Sequence, residues 1–341
     1  MDRFCARINE GMPCIRKGAH AWPSAIVAVP LVLILVVARA AASEIHIDSD
    51  PPGQKFWLLP SSEQLGLQDT ITTPAAEQAP LPSESERRPN WLLTSLLSSA
   101  SVAGGAANSL TDHCCQSYHF ANEGWFGANT HYGGADKASH LTSYYIISKE
   151  FAKMYVVLGL KPENARWLAA GVAAVTGLAN EIADGLNRDG FSYQDLVMDI
   201  GGSLAAALVD AAKAEDLVGF RRGFVNINDC CNYSNEIYTA DLALVGVARR
   251  LRLNIGPLRY LLVSATYRTQ GYPSDPNRQR QVGVEVGLNF KQILDDLNVR
   301  RDKWWGYGLH VVLDNIRFPY TAGGYFYDLN HGRWHGPNAG F

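Results

Sequence analysis

Three sets of ionisable side chains stand at helical spacing in otherwise apolar sequence. Asp136 and His140 are four residues apart with Lys137 between them, Glu181 and Asp184 are three apart, and Asp195 and Asp199 are four apart. Residues three or four apart share a helix face. Ionisable groups on apolar helices are costly to bury unless they meet partners. The spacing therefore predicts one polar cluster of Asp136, Lys137, His140, Glu181, Asp184, Asp195 and Asp199. Its chemistry admits three readings. One histidine nitrogen with carboxylate oxygens can hold a divalent metal. Glu181 and His140, with Asp199, can act as general base and acid on a bound ester or phosphate. Or the cluster is a structural network of caps and ion pairs, which suits Asp136 and Asp195 near helix starts, where negative charge is stabilised. No G-x-S-x-G, H-E-x-x-H or phosphate-loop pattern accompanies it.

The elements that must position these groups read as helices from Trp91 to about residue 223. Asp136 is a candidate N-cap for a helix over 136–158, whose Tyr144, Ile147, Phe151 and Met154 recur at steps of three and four. Pro162 opens the next helix, over 162–186, and Gly185 and Gly190 end it in a turn. Ser192 precedes Tyr193-Gln194-Asp195 as a candidate N-cap for a helix running to about Lys213. Gly171, Ala173, Ala174, Gly177 and Ala179, then Gly201, Gly202, Ala205 and Ala206, give these helices small residues that allow close backbone approach, in membrane bundles and soluble ones alike.

From about Asn254 the period changes to two. Val282, Val284, Val286, Leu288 and Phe290 alternate with Gln281, Gly283, Glu285, Gly287 and Asn289, the pattern of a half-buried strand. Residues 260–269 read as its hairpin partner, joined through the Gly- and Pro-rich loop 271–277. Residues 309–318 and 321–327 read as two more strands. Trp304, Trp305, Tyr307, Tyr320, Tyr325 and Tyr327 crowd this region. Such aromatic density suits a membrane–water interface and equally a soluble sheet core.

The first residues read as an export signal. Arg3, Arg7, Arg16 and Lys17 precede an apolar run from Ala25 to Ala38, and small residues then fit an A-x-A cleavage site. The run is shorter than a spanning helix needs. Residues up to 43 hold five basic and two acidic residues, so the remainder carries −6 against −3 for the whole chain. That mild acidity argues against a nucleic-acid partner. The four cysteines beyond the signal, Cys114, Cys115, Cys230 and Cys231, are even in number, as expected of disulfides in an exported chain. Adjacent cysteines rarely bridge each other, so bridges are expected between the two pairs, the alternative being a zinc site with His113, His119, Asp112 or Asp229 near by. The expected organisation is a signal peptide over 1–42, a Pro/Ser-rich linker over 43–90, a helical domain over 91–225 and an antiparallel region over 226–341. The fold class is α+β: a small-residue-rich helical bundle followed by a C-terminal antiparallel β-meander.

Several of these segments together resemble a known family. They are Trp125-Phe126-Gly127, Gly133-Gly134-Ala135-Asp136-Lys137-Ala138-Ser139-His140, Glu181-Ile182-Ala183-Asp184-Gly185, and Gly190-Phe191-Ser192-Tyr193-Gln194-Asp195-Leu196-Val197-Met198-Asp199 with Gly202. The family is the bacterial domain-of-unknown-function group that includes the YfiM-type predicted periplasmic and outer-membrane lipoproteins. A more distant similarity is to VanZ-like membrane proteins, carried by Asp136, Lys137, His140, Glu181, Asp195 and Asp199. The resemblance implies an envelope location and no established activity. The expected protein is a non-enzymatic component of the periplasm, associated with the outer membrane, whose partner is a membrane lipid, a glycan or an envelope protein. The alternative is a hydrolase or transferase acting on an envelope lipid or peptidoglycan precursor through His140, Glu181 and Asp199. No motif demands a cofactor, and a divalent metal is the one open possibility.

Overall fold

A computed structural model describes residues 88–110, 115–225, 232–301 and 303–336. The expected signal peptide, the linker up to residue 87, and Cys114, Cys230 and Cys231 lie outside the described residues. Cys115 lies inside them and is not a free side chain.

Among the described residues four helices come first: α1 (Trp91–Leu110), α2 (Ala135–Val157), α3 (Pro162–Asp184) and α4 (Tyr193–Ala211). Proline sits at the start of α3, where its missing N–H costs nothing. Ser192 caps α4, its hydroxyl accepting from the Asp195 N–H at 3.3 Å. Asp136 is not the cap of α2. Gly134 takes that position at φ 92°, and Asp136 lies in the first turn with its carboxylate free to face inward. The small residues set how close the helices come. A Cβ on Gly202 of α4 would fall 2.1 Å from the Leu141 carbonyl oxygen of α2, and one on Gly177 of α3 would fall 2.6 Å from an Asp199 carboxylate oxygen. Tyr144, Ile147, Phe151 and Met154, the residues of the predicted face, pack with Leu97 and Ala169 as the core of the bundle.

The second half is a seven-stranded sheet. Its strands are β3 (Val218–Phe224), β4 (Glu236–Ala243), β5 (Leu261–Gln270), β6 (Gln279–Leu288), β7 (Ile316–Arg317), β8 (Ala322–Asp328) and β9 (Arg333–His335), in the order β7-β3-β4-β5-β6-β8-β9. Every neighbouring pair is antiparallel except β3 and β7. A separate parallel pair joins β1 (Phe120–Ala121) to β2 (Phe191–Ser192). Short helices α5 (Leu244–Leu251), α6 (Phe290–Asp296) and α7 (Trp304–Asn315) fill the connections. The fold is α+β, as read from the sequence.

Three details differ from that reading. The sheet opens at Val218, within the segment read as helical, because Val-Gly-Phe-Arg-Arg-Gly-Phe carries no clean alternation that would mark a strand. Residues 309–315 are helical, not extended. The buried positions of α7 are Gly306, His310, Val311 and Asn315, at steps of four, one and four, which is a helix face despite the β-branched and aromatic residues around it. The third is the polarity of the sheet. In β6 the buried side chains are Gln281 and Glu285, while Val282, Val284, Val286 and Leu288 are exposed. The strand is half-buried, but the buried half is the polar one.

Helix α7 is tied to α2 by charge. Lys149 Nζ lies 2.8 Å from Asp314 Oδ2 and donates to Asn315 Oδ1 at 2.9 Å. Burial would raise the Asp314 carboxyl, but Lys149 and Lys153 outweigh it and hold the group well below the usual carboxylate range. A carboxyl depressed on folding contributes stability above its unfolded pKa of about 3.9, and that contribution is lost as pH falls through the lower folded value. Asp314→Asn is therefore expected to cost about 2 kcal/mol at pH 7, with the gap from the parent closing in strong acid. Urea unfolding at a series of pH values measures it, and a gap that does not vary with pH would refute the assignment.

Candidate functional site: a buried polar cluster among the helices

The close approach of α2, α3 and α4 brings the predicted side chains together. Lys137 of α2 is fully buried, and its ammonium donates to Asp136 Oδ2 at 2.7 Å, to Asp195 Oδ2 at 2.9 Å and to Glu123. Burial alone would lower the Lys137 pKa, but Asp195, Asp136 and Glu123 outweigh it and raise it. Beside this group, His140 Nδ1 and Asp199 Oδ1 are 2.7 Å apart, and His140 Nε2 is 3.9 Å from Asp195 Oδ1. Glu181 of α3 is 1% exposed, and its Oε2 accepts from the Ser192 N–H at 3.0 Å.

Asp184 stands one turn beyond. Its two carboxylate oxygens accept from Asn180 Nδ2 at 2.8 Å and Asn187 Nδ2 at 2.7 Å, so its hydrogen bonds go to an amide network at the end of α3. Glu123 belongs to the cluster and lies on no helix. The β1–β2 pair sets Ala121 against Ser192, which carries the following Asn122 and Glu123 alongside the start of α4. Gln194 Nε2 donates to Asn122 Oδ1 at 2.6 Å and fastens that loop. Helical spacing has no bearing on a loop residue, so the pattern that found the others passes over Glu123. The only signal for it is a lone acid in the aromatic and glycine-rich stretch 120–127.

Burial governs the protonation of the cluster. It pushes Glu181 up to about 9, with Asp195, Asp184 and Asp199 adding to the rise and His140 opposing it. It pushes Asp184 up to about 7. Burial opposes a charged imidazole at His140, but Asp195 and Asp199 outweigh it and hold its pKa well above the ordinary value. Burial likewise opposes ionised Asp195, yet His140, a hydrogen bond with Glu123 and Lys137 keep its carboxyl low. Burial and the neighbouring carboxyls thus favour the protonated form of Glu181, and Asp195 and Asp199 favour that of His140, whose Nδ1 sits against Asp199.

The sheet carries a second buried polar network on its inner face. Arg317 Nη2 donates to Glu285 Oε1 at 2.6 Å and its Nε to Oε2 at 3.1 Å. Arg221 Nε donates to Asp241 Oδ2 at 2.5 Å, and Ser264 Oγ donates to Asp241 Oδ1 at 2.6 Å. Arg268 Nε donates to Gln281 Oε1 at 2.6 Å, with its guanidinium 4.4 Å from the centre of the Phe326 ring. The strand order puts β7 and β6 four steps apart. At about 4.8 Å per step a flat sheet would separate them by about 19 Å. The Arg317–Glu285 contact therefore requires a strongly curled sheet with its polar face on the concave side.

The convex face is apolar. The register sets Val263 beside Val286 and Ala265 beside Val284, then Val282 beside Tyr327, Val284 beside Tyr325, and Tyr327 beside Trp334. Val284, Val286, Tyr325 and Trp334 are exposed, at 59, 49, 58 and 69%. Trp304, Trp305 and Tyr320 are exposed as well, so they do not pack as a sheet core. On α4, Val197, Ile200, Leu204 and Leu208 recur at steps of three and four and are also exposed. No described helix is long and apolar enough to cross a membrane.

Residues 122–211 match the model of a family described as predicted periplasmic lipoprotein (DUF2279). The matched segment runs from Asn122 to the end of α4 and contains every member of the helical cluster, Glu123 included. No curated protein and no solved structure matches the chain.

Proposed function

We propose that this protein is a non-enzymatic periplasmic component of the cell envelope that seats on the outer membrane by lipid contact at the convex face of its sheet. The inverted polarity of β6 carries this reading, with Gln281 and Glu285 inside and Val282, Val284, Val286 and Leu288 outside. Apolar-out and polar-in along a strand is the arrangement of sheets whose outer solvent is acyl chain, and it is the reverse of a water-facing sheet. Exposed Tyr325 and Trp334 flank the valines, as amphipathic aromatics do at a bilayer surface. Burying six half-exposed side chains at roughly 1 kcal/mol each yields about 6 kcal/mol, comparable with one fatty-acyl anchor. A hydrolase or transferase reading of the helical cluster would rest on His140, Glu181 and Asp199, and no complete nucleophile or metal motif accompanies them in the sequence. The non-enzymatic reading is favoured for that reason.

Val284→Asp combined with Val286→Asp tests the seat. Both side chains point outward, so the polar interior is untouched. Partition onto phosphatidylethanolamine/phosphatidylglycerol vesicles is expected to fall at least about tenfold, with the unfolding midpoint unchanged. Equal partition of parent and variant would exclude the sheet as the lipid contact.

A further inference from the structure

The helical cluster contains two sets of three converging ligand groups, and the chain supplies a full cation to one of them. Glu123, Asp136 and Asp195 offer oxygens within 4.8 Å of one another, and the Lys137 ammonium contacts all three. His140, Glu181 and Asp199 offer one nitrogen and two carboxylate oxygens within the same 4.8 Å. Among the described residues, Asp199 pairs with His140, and no lysine or arginine comes within ion-pair distance of Glu181 or Asp199. Counted together, Glu123, Asp136, Glu181, Asp195 and Asp199 are five carboxyls around Lys137 and His140. So large a buried excess of carboxyls calls for protons or a further cation.

Two atoms at this second set have no protein partner. Asp199 is fully buried and its Oδ2 accepts no hydrogen bond. Tyr144 is 1% exposed and its hydroxyl also has none. Tyr144 lies one turn after His140 on α2, its ring 6.3 Å from the imidazole and nearly parallel to it. A buried hydroxyl and a buried carboxylate oxygen rarely go without partners, and the two together mark a place where another group belongs.

We propose that His140, Glu181 and Asp199 form a site for one divalent transition-metal ion, Zn²⁺ or Mn²⁺, with the Tyr144 hydroxyl donating to a water on that ion. One imidazole and two carboxylates are a borderline-hard donor set, which suits these ions and lacks the thiolates of a zinc-finger site. Ligand atoms bonded to one ion at about 2.1 Å stand no more than about 4.2 Å apart, close to the 4.8 Å within which these three lie. The ion does for Glu181 and Asp199 what the Lys137 ammonium does for the neighbouring set. Binding requires both Glu181 and the His140 nitrogen to release their protons, so metal and protons compete for the site.

The test uses the full chain, stripped with chelator and titrated with Zn²⁺ alone and with Mn²⁺ alone. One equivalent per chain is expected to survive desalting and to raise Tm by several degrees, reversibly on adding EDTA. Asp199→Asn and Glu181→Gln should each weaken binding at least tenfold. His331→Ala, which alters a separate His–Asp pair with Asp328, should leave it unchanged. Co²⁺ in place of Zn²⁺ should give weak visible bands without the intense thiolate charge-transfer absorption. Absence of a stoichiometric ion in the parent chain overturns the proposal, as does a thiolate band. Binding that survives in both carboxylate variants overturns it too. If those variants do not fold, the parent's stoichiometry, Tm shift and Co²⁺ spectrum decide by themselves.

Discussion

Lys137→Met is expected to lower unfolding free energy by about 3–5 kcal/mol, the range for removing one partner of a buried ion pair. The lysine is fully buried, and its ammonium is the shared partner of Glu123, Asp136 and Asp195. Methionine keeps most of the stem's volume, so the loss is one of charge and hydrogen bonds, with little cavity term. Three carboxyls from a loop, from α2 and from α4 are then left facing one another. Adding Asp195→Asn removes one of the stranded charges and should return part of the loss. Denaturant unfolding of the parent, the single variant and the double variant measures both effects. A single-variant loss below about 1 kcal/mol would mean that the ammonium does not hold these three elements together.

Arg317→Met should be comparably damaging, at about 3–5 kcal/mol, because it leaves Glu285 as an unpaired charge on the concave face of the sheet. Both side chains are 1% exposed and the contact is bidentate. Replacing both partners with apolar residues is a different experiment. Arg317→Met with Glu285→Met removes both charges, and well-packed apolar replacements of buried pairs are often neutral or stabilising. The double variant is therefore expected to recover most of the single-variant loss. That recovery depends on the two strands being face to face across the curl. If the two single losses simply add, Arg317 and Glu285 are not in contact and the sheet is flatter than described.

What the sequence disclosed and what it concealed divide along the range of the interactions. The cluster on α2, α3 and α4 was legible because its residues recur at three and four, and burial cost demands that such groups meet. Glu123 was not, since its place depends on the two-residue pairing of β1 with β2, which leaves no periodic trace. The hairpin of β5 and β6 was legible from alternation and a turn-rich loop. Its orientation was not: a period of two is the same whether Val284 or Glu285 faces inward. Only contacts with distant strands, such as Glu285 with Arg317, decide that. The parallel addition of β7 beside β3 is likewise a long-range event. Helix α7 was masked by composition, because Trp304, Trp305, Val311 and Val312 favour strands while the buried steps from Gly306 to His310 and from Val311 to Asn315 are helical.

The lipid-facing sheet is tested most directly by flotation of the parent protein with phosphatidylethanolamine/phosphatidylglycerol vesicles at low salt and again at 1 M salt. An apolar seat predicts that the protein floats with the vesicles and stays with them in high salt, since about 6 kcal/mol of apolar transfer is not screened by ions. A protein that remains monomeric without detergent and stays in the aqueous fraction at both salt concentrations would contradict the account.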